Sequence, residues 1–329
     1  MRILNGDAVR LALPMTSAID AAKVAYTAHA TGNGVAPQRV ALDLGPGDVA
    51  LFMPGLLPDM LVVKAVTVLP GNPARGLPTN QGALLAIDPS TGVARGLLDT
   101  ATVTQLRTAA GAAAATDCLA RADATSLAIL GTGALAIPHI EAISAVRPIA
   151  AVHIWGRTAE HVVALVDRLF KTRVCAGENA VDVTVHGTAD LAVAAADVVC
   201  TLTQSETPLF SGDAVRPGTH INAVGAFRPV MCELPAATLA RARVFVDDLE
   251  AATHEAGDII QAVEAGTMTW DDVVGEVGAV LDGNVAGRSS DDDVTVFKSV
   301  GMSLQDAAAA ASALSVAERD DLGIVVDWP

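Results

Sequence analysis

Residues 17–30 carry Ile19, Ala22, Tyr26 and Ala30 at helical spacing, and Gly32 and Gly34 stop the pattern. Strand-like runs follow at 39–44, 50–52 and 61–69. Two more, 83–88 and 93–98, flank Pro89-Ser90-Thr91-Gly92 like the arms of a hairpin, so this stretch reads as an antiparallel, mixed-strand module. An alanine-rich helix over 100–119, carrying Arg107, then leads into short apolar runs that alternate with helical segments. Strands are predicted at 126–130, 151–155, 181–185, 197–202, 220–224 and 244–247, with helices opening near Ala134, Thr158, Thr188 and Pro235. Six strands separated by helices imply an α/β fold with a doubly wound parallel sheet. A closing helix at 302–314 lies beyond the last strand and most simply returns to the first module, while 291–293 reads as a solvated acidic loop.

Composition narrows the possibilities. With 329 residues, 51% of them hydrophobic, the chain can fill two cores and is no disordered polymer. Its 21 Lys and Arg stand against 37 Asp and Glu, a net charge of -16 that repels nucleic acid and anionic membrane surfaces. Cys118, Cys175, Cys200 and Cys232 are scattered in apolar surroundings without C-x-x-C pairing, which fits small core residues in a reducing cytoplasm. The opening residues lack the look of a leader, and apolar stretches such as 191–202 are too short to span a bilayer. None of the seven histidines stands at metal-ligand spacing from another His or a Cys, so no catalytic metal is expected. The serines lack a nucleophile-elbow context, which disfavours a Ser-His-Asp hydrolase, and His220 reads as a satisfied buried residue.

One motif carries chemistry. Gly131-Thr132-Gly133-Ala134-Leu135-Ala136 matches G-x-G-x-x-A, a weak signal in a chain with 28 glycines. Its context is stronger, since the apolar run 126–130 ends at Gly131 and an apolar helix follows. Gly131 then makes the tight turn, Gly133 lets backbone N–H groups approach a pyrophosphate, and Ala136 lets helix and strand pack closely. At the end of the next strand stands Trp155-Gly156-Arg157-Thr158, without the carboxylate that would accept bonds from a free ribose 2′-hydroxyl. A guanidinium and a hydroxyl suit a 2′-phosphate, so NADP(H) is expected to be preferred and NAD(H) remains possible.

The chain resembles the ornithine cyclodeaminase and mu-crystallin family over nearly its whole length. The likeness is carried by Lys64 in a valine-rich strand, Leu106-Arg107-Thr108-Ala109-Ala110, the Gly131 turn, Ile221-Asn222-Ala223-Val224-Gly225-Ala226, and Thr295-Val296-Phe297-Lys298-Ser299-Val300-Gly301-Met302. The resemblance implies a homodimer. Each subunit would have a Rossmann domain over 116–301 and a discontinuous α+β substrate-binding and dimerisation domain from 1–115 and 302–329. It implies small amino or imino acid substrates whose α-carboxylate is met by Arg39, Lys64 and Arg107, with Lys64 also catalytic. Thr108, Thr201, Val224, Gly225 and Ser299 join the glycine turn and Gly156, Arg157 and Thr158 as implied cofactor contacts.

The residues themselves agree with less force. An ammonium inside Leu61-Val-Val-Lys-Ala-Val-Thr-Val68 needs an anionic partner or a displaced pKa, and a structural salt bridge would serve equally. Arg39 and Arg107 could each grip a carboxylate bidentately or simply meet solvent or a rim ion pair. Ornithine cyclodeaminases carry an Asp two residues after the Val-Gly of the Asn-Ala-Val-Gly segment, where this chain has Phe227, an aromatic that cannot exchange a proton. The resemblance is therefore nearer the mu-crystallin type and implies reduction of a cyclic ketimine, pyrroline-2-carboxylate or piperideine-2-carboxylate, to proline or pipecolate. Alanine dehydrogenase activity by reductive amination is the alternative. Ornithine cyclodeamination, or ligand binding with a structural NADPH and no turnover, ranks lower.

Overall fold

The computed structural model describes residues 1–172 and 181–328; Cys175 lies outside them. Along the chain run β1 (Arg2–Leu4), α1 (Gly6–Ala12), α2 (Met15–Ala30), β2 (Val40–Gly45), β3 (Asp48–Leu57), β4 (Met60–Val68), β5 (Asn80–Ile87), β6 (Ala94–Asp99) and α3 (Thr100–Leu119). Next come β7 (Ser126–Leu130), α4 (Ala136–Val146), β8 (Ala151–Trp155), α5 (Ala159–Leu169), β9 (Asp182–Val185), α6 (Ala189–Ala194), β10 (Val198–Thr201), β11 (His220–Ala223), α7 (Ala236–Arg241) and β12 (Arg243–Val246). The chain closes with α8 (Leu249–Glu255), α9 (Gly257–Glu264), β13 (Val273–Glu276), α10 (Val277–Leu281), β14 (Thr295–Lys298), α11 (Ser303–Arg319) and β15 (Ile324–Val325). Two compact units result, residues 1–107 with 302–329 and residues 108–301, the division falling inside α3.

The first unit holds a mixed sheet in the order β15-β1-β6-β5-β4-β3-β2, antiparallel throughout except for the parallel β1–β6 pair. Period-two alternation in β4 puts Met60, Val62, Lys64, Val66 and Val68 on the buried face, so the strand itself delivers an ammonium into the core. Helix α11 packs against α2, β3 and β4 and is buried from Ser303 through Ala310; the alanines there let it lie close to its neighbours. Three elements have no counterpart in the hydrophobic pattern, β1 with three residues, α1 with seven and β15 with two. All are too short for a period to show, and α1 is marked instead by a cap, the Asn5 side chain accepting from the Ala8 N–H at 2.9 Å.

The second unit is a fully parallel sheet in the order β13-β12-β14-β11-β10-β7-β8-β9. Among the described residues it has eight strands where the sequence pattern gives six. The additions are β13 and β14, each four residues long, and β14 inserts between β11 and β12. Strand β13 ends in Gly275-Glu276 and β14 in a lysine, so neither is an apolar run over its full length. Helices α8, α9 and α10 are likewise short and have no counterpart in the pattern. Strand order reverses between β7 and β10, the crevice position at which doubly wound sheets bind ligands. No helix among the described residues is long and apolar enough to cross a membrane.

Candidate active site

At that reversal the chain leaves β7 through Gly131, whose φ of 126° is open only to glycine and whose absent Cβ would stand 2.9 Å from the Leu202 carbonyl. Gly133 faces open space, and a Cβ there would meet nothing within 4 Å. The helix opens at Ala136 and not at Ala134, because residues 133–135 form a turn closed by the Ala136 N–H on the Gly133 carbonyl at 3.2 Å. Ala134 is exposed, Leu135 half-buried and Ala136 buried. A cavity of about 500 Å³ lies beside this turn, lined among others by Gly131, Thr132, Gly156, Arg157, Thr158 and Thr203. Arg157 is exposed, and Thr158 is the N-cap of α5 but makes no capping bond, so its hydroxyl remains available. His161 also lines the cavity. Sequence reasoning missed it, although its position three residues after Thr158 puts it on the same helix face. A turn with glycine at Gly131 and Gly133, a helix start and polar walls together suit a dinucleotide.

Behind the cavity wall lies a buried polar cluster with no sequence signal. Glu233 is fully buried and accepts five hydrogen bonds: Thr203 N at 2.6 Å and Thr203 Oγ1 at 2.8 Å on Oε1, with Thr201 Oγ1 at 2.9 Å, Gly225 N at 2.8 Å and Ala226 N at 3.1 Å on Oε2. Gly225 must be glycine, since a Cβ would sit 2.0 Å from the Thr203 carbonyl. Thr201, Val224 and Gly225 are all buried, and the Thr201 hydroxyl is spent on Glu233. Asp258 accepts from Glu233 N at 2.6 Å and Leu234 N at 2.8 Å and pairs with buried Lys298 at 2.8 Å; Lys298 also donates to the Ala226 carbonyl. Burial, reinforced by the Asp258 charge, pushes the Glu233 carboxyl up to about 7. Ser299 is buried and donates to Asp247 at 2.8 Å, and Asp247 also accepts from Val300 N at 3.0 Å and Gly301 N at 2.6 Å. Burial raises the thiols of Cys200 and Cys232 to about 12, leaving them protonated and inert.

The first unit carries a different cluster. Lys64, 1% exposed, pairs with Asp306 of α11 at 2.7 Å, and Asp306 is 3.4 Å from Arg107 Nε. Both outcomes foreseen for a buried ammonium therefore occur together: it has an anionic partner, and burial lowers its pKa to about 8 against the opposing pull of Asp306. Arg107 Nη1 donates to Gln305 at 3.1 Å, and Gln305 in turn donates to Tyr26 Oη at 2.9 Å, which locks the guanidinium between α2 and α11. Arg39 is half-buried just before β2, and its charge is felt at Lys64. Thr108, the first residue of the second unit, is half-buried.

Residues 2–319 match the model of the ornithine cyclodeaminase/mu-crystallin family. The chain belongs to that family. It is 36% identical over 310 residues to a Delta(1)-pyrroline-2-carboxylate reductase of Bacillus cereus, covering 93% of each chain. Among solved structures it is similar to Thermococcus litoralis Delta(1)-pyrroline-2-carboxylate reductase in complex with NADH and L-proline, with TM-score 0.94, 27% identity, and 99% of this chain and 100% of that one covered. It is also similar to an archaeal alanine dehydrogenase dimer with bound NAD, with TM-score 0.92, 31% identity and coverage of 100% and 99%. The family likeness thus runs through both units.

Proposed function

We propose that this family member reduces the C=N bond of small cyclic ketimines bearing an α-carboxylate, pyrroline-2-carboxylate or piperideine-2-carboxylate, giving proline or pipecolate. The observation that carries this reading is an excess of buried cationic donors in the first unit. Lys64 has three N–H donors and, among the described residues, one carboxylate in reach, while the buried Arg107 Nε makes no hydrogen bond among them and stands 3.4 Å from Asp306. Buried donors left unspent call for an anion, and a substrate carboxylate gripped by Arg107 and Arg39 supplies one. Lys64, lowered to about 8, holds a proton that it can release near neutral pH, which suits it to protonate the ring nitrogen. A bound reduced nicotinamide supplies the hydride to the imine carbon. Gly131, Thr132, Gly133, Arg157 and Thr158 would hold the dinucleotide, with Glu233 and Asp247 fixing the backbone behind Thr201, Val224, Gly225 and Ser299. The two solved relatives named above carry NADH or NAD, which supports a nicotinamide cofactor; preference for NADP(H) rests on Arg157 and Thr158.

Phe227 argues against cyclodeamination. Its half-buried ring lies 5.6 Å from the Arg228 guanidinium and offers no proton-exchanging group beside a reacting amine. Dimerisation is part of the same proposal: Val40, Leu42 and Leu44 on edge strand β2 are 56, 50 and 51% exposed, an apolar row that a second subunit would cover. The deciding experiment is a panel of the two ketimines, pyruvate with ammonia, and ornithine, followed by cofactor absorbance. Ketimine turnover with negligible conversion of ornithine is expected. Faster reductive amination of pyruvate would make the protein an alanine dehydrogenase, and cofactor binding without any turnover would make it a binding protein.

A further inference from the structure

We infer that Glu233 is a positioning residue for the dinucleotide, tying the cavity wall at Thr203 to the turn at Gly225 and Ala226 so that both keep one spacing. The inference rests on the second unit being the dinucleotide site, and goes beyond it in naming a group that touches no ligand. Thr203 lines the cavity and is held to Oε1 through both its N–H and its hydroxyl, at 2.6 and 2.8 Å. Gly225 and Ala226, which follow β11, give their N–H groups to Oε2 at 2.8 and 3.1 Å. The ends of neighbouring strands β10 and β11 are thereby cross-linked by one carboxylate, at the edge of the sheet where the order reversal opens the crevice. The carboxylate is itself fixed from behind, because Asp258 accepts the Glu233 and Leu234 N–H groups and is neutralised by Lys298, which also donates to the Ala226 carbonyl. Close approach is obligatory here, since even a methyl on Gly225 would overlap the Thr203 backbone.

The bond pattern calls for a carboxyl group and not an amide. Each oxygen faces at least one backbone N–H, a donor that cannot turn around, so both oxygens must accept. An amide in the same volume would point its NH₂ either at Thr203 N–H or at the Gly225 and Ala226 N–H groups, and would push the wall or the turn away. Glu233→Gln is therefore isosteric in shape but repulsive in bonding, whereas Thr201→Val removes one of the five bonds and leaves the remaining acceptors in use.

The experiment measures the dissociation constant of NADH by fluorescence titration for wild type, Glu233→Gln and Thr201→Val, together with ketimine KM at saturating cofactor and thermal midpoints. Glu233→Gln is expected to weaken NADH at least about tenfold and Thr201→Val about threefold, in the order of bonds disturbed, with ketimine KM within twofold of wild type. NADH affinity unchanged in both variants, with only lowered thermal midpoints, would overturn the inference and leave Glu233 as scaffold. Should Glu233→Gln not fold, Thr201→Val decides by the same readout. Wild-type protein that binds no NADH would instead refute the dinucleotide site itself, an outcome distinct from either.

Discussion

The two units share one device, a buried lysine–carboxylate pair, Lys298 with Asp258 in the second and Lys64 with Asp306 in the first, and differ in how their other buried charges are met. In the second unit each buried carboxylate is met by backbone: Glu233 takes three peptide N–H groups and two hydroxyls, and Asp247 takes the N–H groups of Val300 and Gly301 and the hydroxyl of Ser299. In the first unit the buried carboxylate, Asp306, faces two cations, Lys64 and Arg107, whose donors outnumber what it can use. A carboxylate with all its bonds made fixes loops and asks for nothing further. Cations in excess are incomplete without an anion, and under the proposed function that anion is the substrate carboxylate.

The comparison breaks most sharply at Lys64 and Arg107. Replacing either by Ala is expected to lower kcat/KM for the ketimine at least about a hundredfold, about 2.7 kcal/mol, while NADH affinity stays within about twofold. Wild-type turnover in either variant would remove these residues from the substrate site. The pH profile tests the same cluster without mutation. With Lys64 lowered from 10.5 to about 8 and required as the ammonium, kcat/KM should fall about tenfold per unit above pH 8. Stability should move the other way: between about 8 and 10.5 the unfolded chain holds this proton and the folded one does not, so this group's contribution to stability rises with pH. A simultaneous loss of activity and of folded protein would point to unfolding elsewhere. Asp306→Asn, which removes the charge that raises the Lys64 pKa, should shift the alkaline limb towards lower pH.

An effect of intermediate size is expected in the second unit, where the comparison predicts lost stability. Asp247→Ala leaves the Val300 and Gly301 N–H groups and the Ser299 hydroxyl without their acceptor in a buried site, a cost of about 1–3 kcal/mol by denaturant titration. Unchanged stability would mean that these groups find other partners and that the carboxylate is not architectural.

What was legible in the sequence follows from the length over which each signal acts. Strands β7 and β8 and helix α3 stand at the boundaries read from the pattern, because five-residue runs with four apolar positions and a twenty-residue helix are self-declaring. Lys64 was conspicuous because it interrupts valines. Its partner was not: Asp306 lies 242 residues further along, in a helix whose polar residues carry no period, and only packing of α11 on β4 brings the two together. Glu233 was invisible for the same reason, its five donors coming from residues 201 to 226 across two strand ends. The glycine turn was readable because its requirement is local, whereas strand β14 depends for its place in the sheet on neighbours on both sides.

The smallest effect is expected at Arg157, and its size is part of the test. The guanidinium is exposed at the cavity rim, so its attraction for a ribose 2′-phosphate acts through water and is screened by salt, unlike the buried pairs at Lys64 and Lys298. Arg157→Ala should therefore weaken NADPH by only about 1 kcal/mol, and NADH by less, since NADH has a neutral hydroxyl where NADPH has the phosphate. Thr158 and His161 share the cavity and would keep part of the preference in the variant. Ionic strength gives an independent check. The ratio of NADPH to NADH affinity should fall as salt rises from about 0.01 to 0.15 M in wild type, because the Debye length shrinks from about 30 to 8 Å over that range. The same ratio should respond less in Arg157→Ala. Equal losses for the two cofactors, or a ratio indifferent to salt in wild type, would place Arg157 away from the 2′-phosphate and leave NAD(H) as the better-matched cofactor for this cavity.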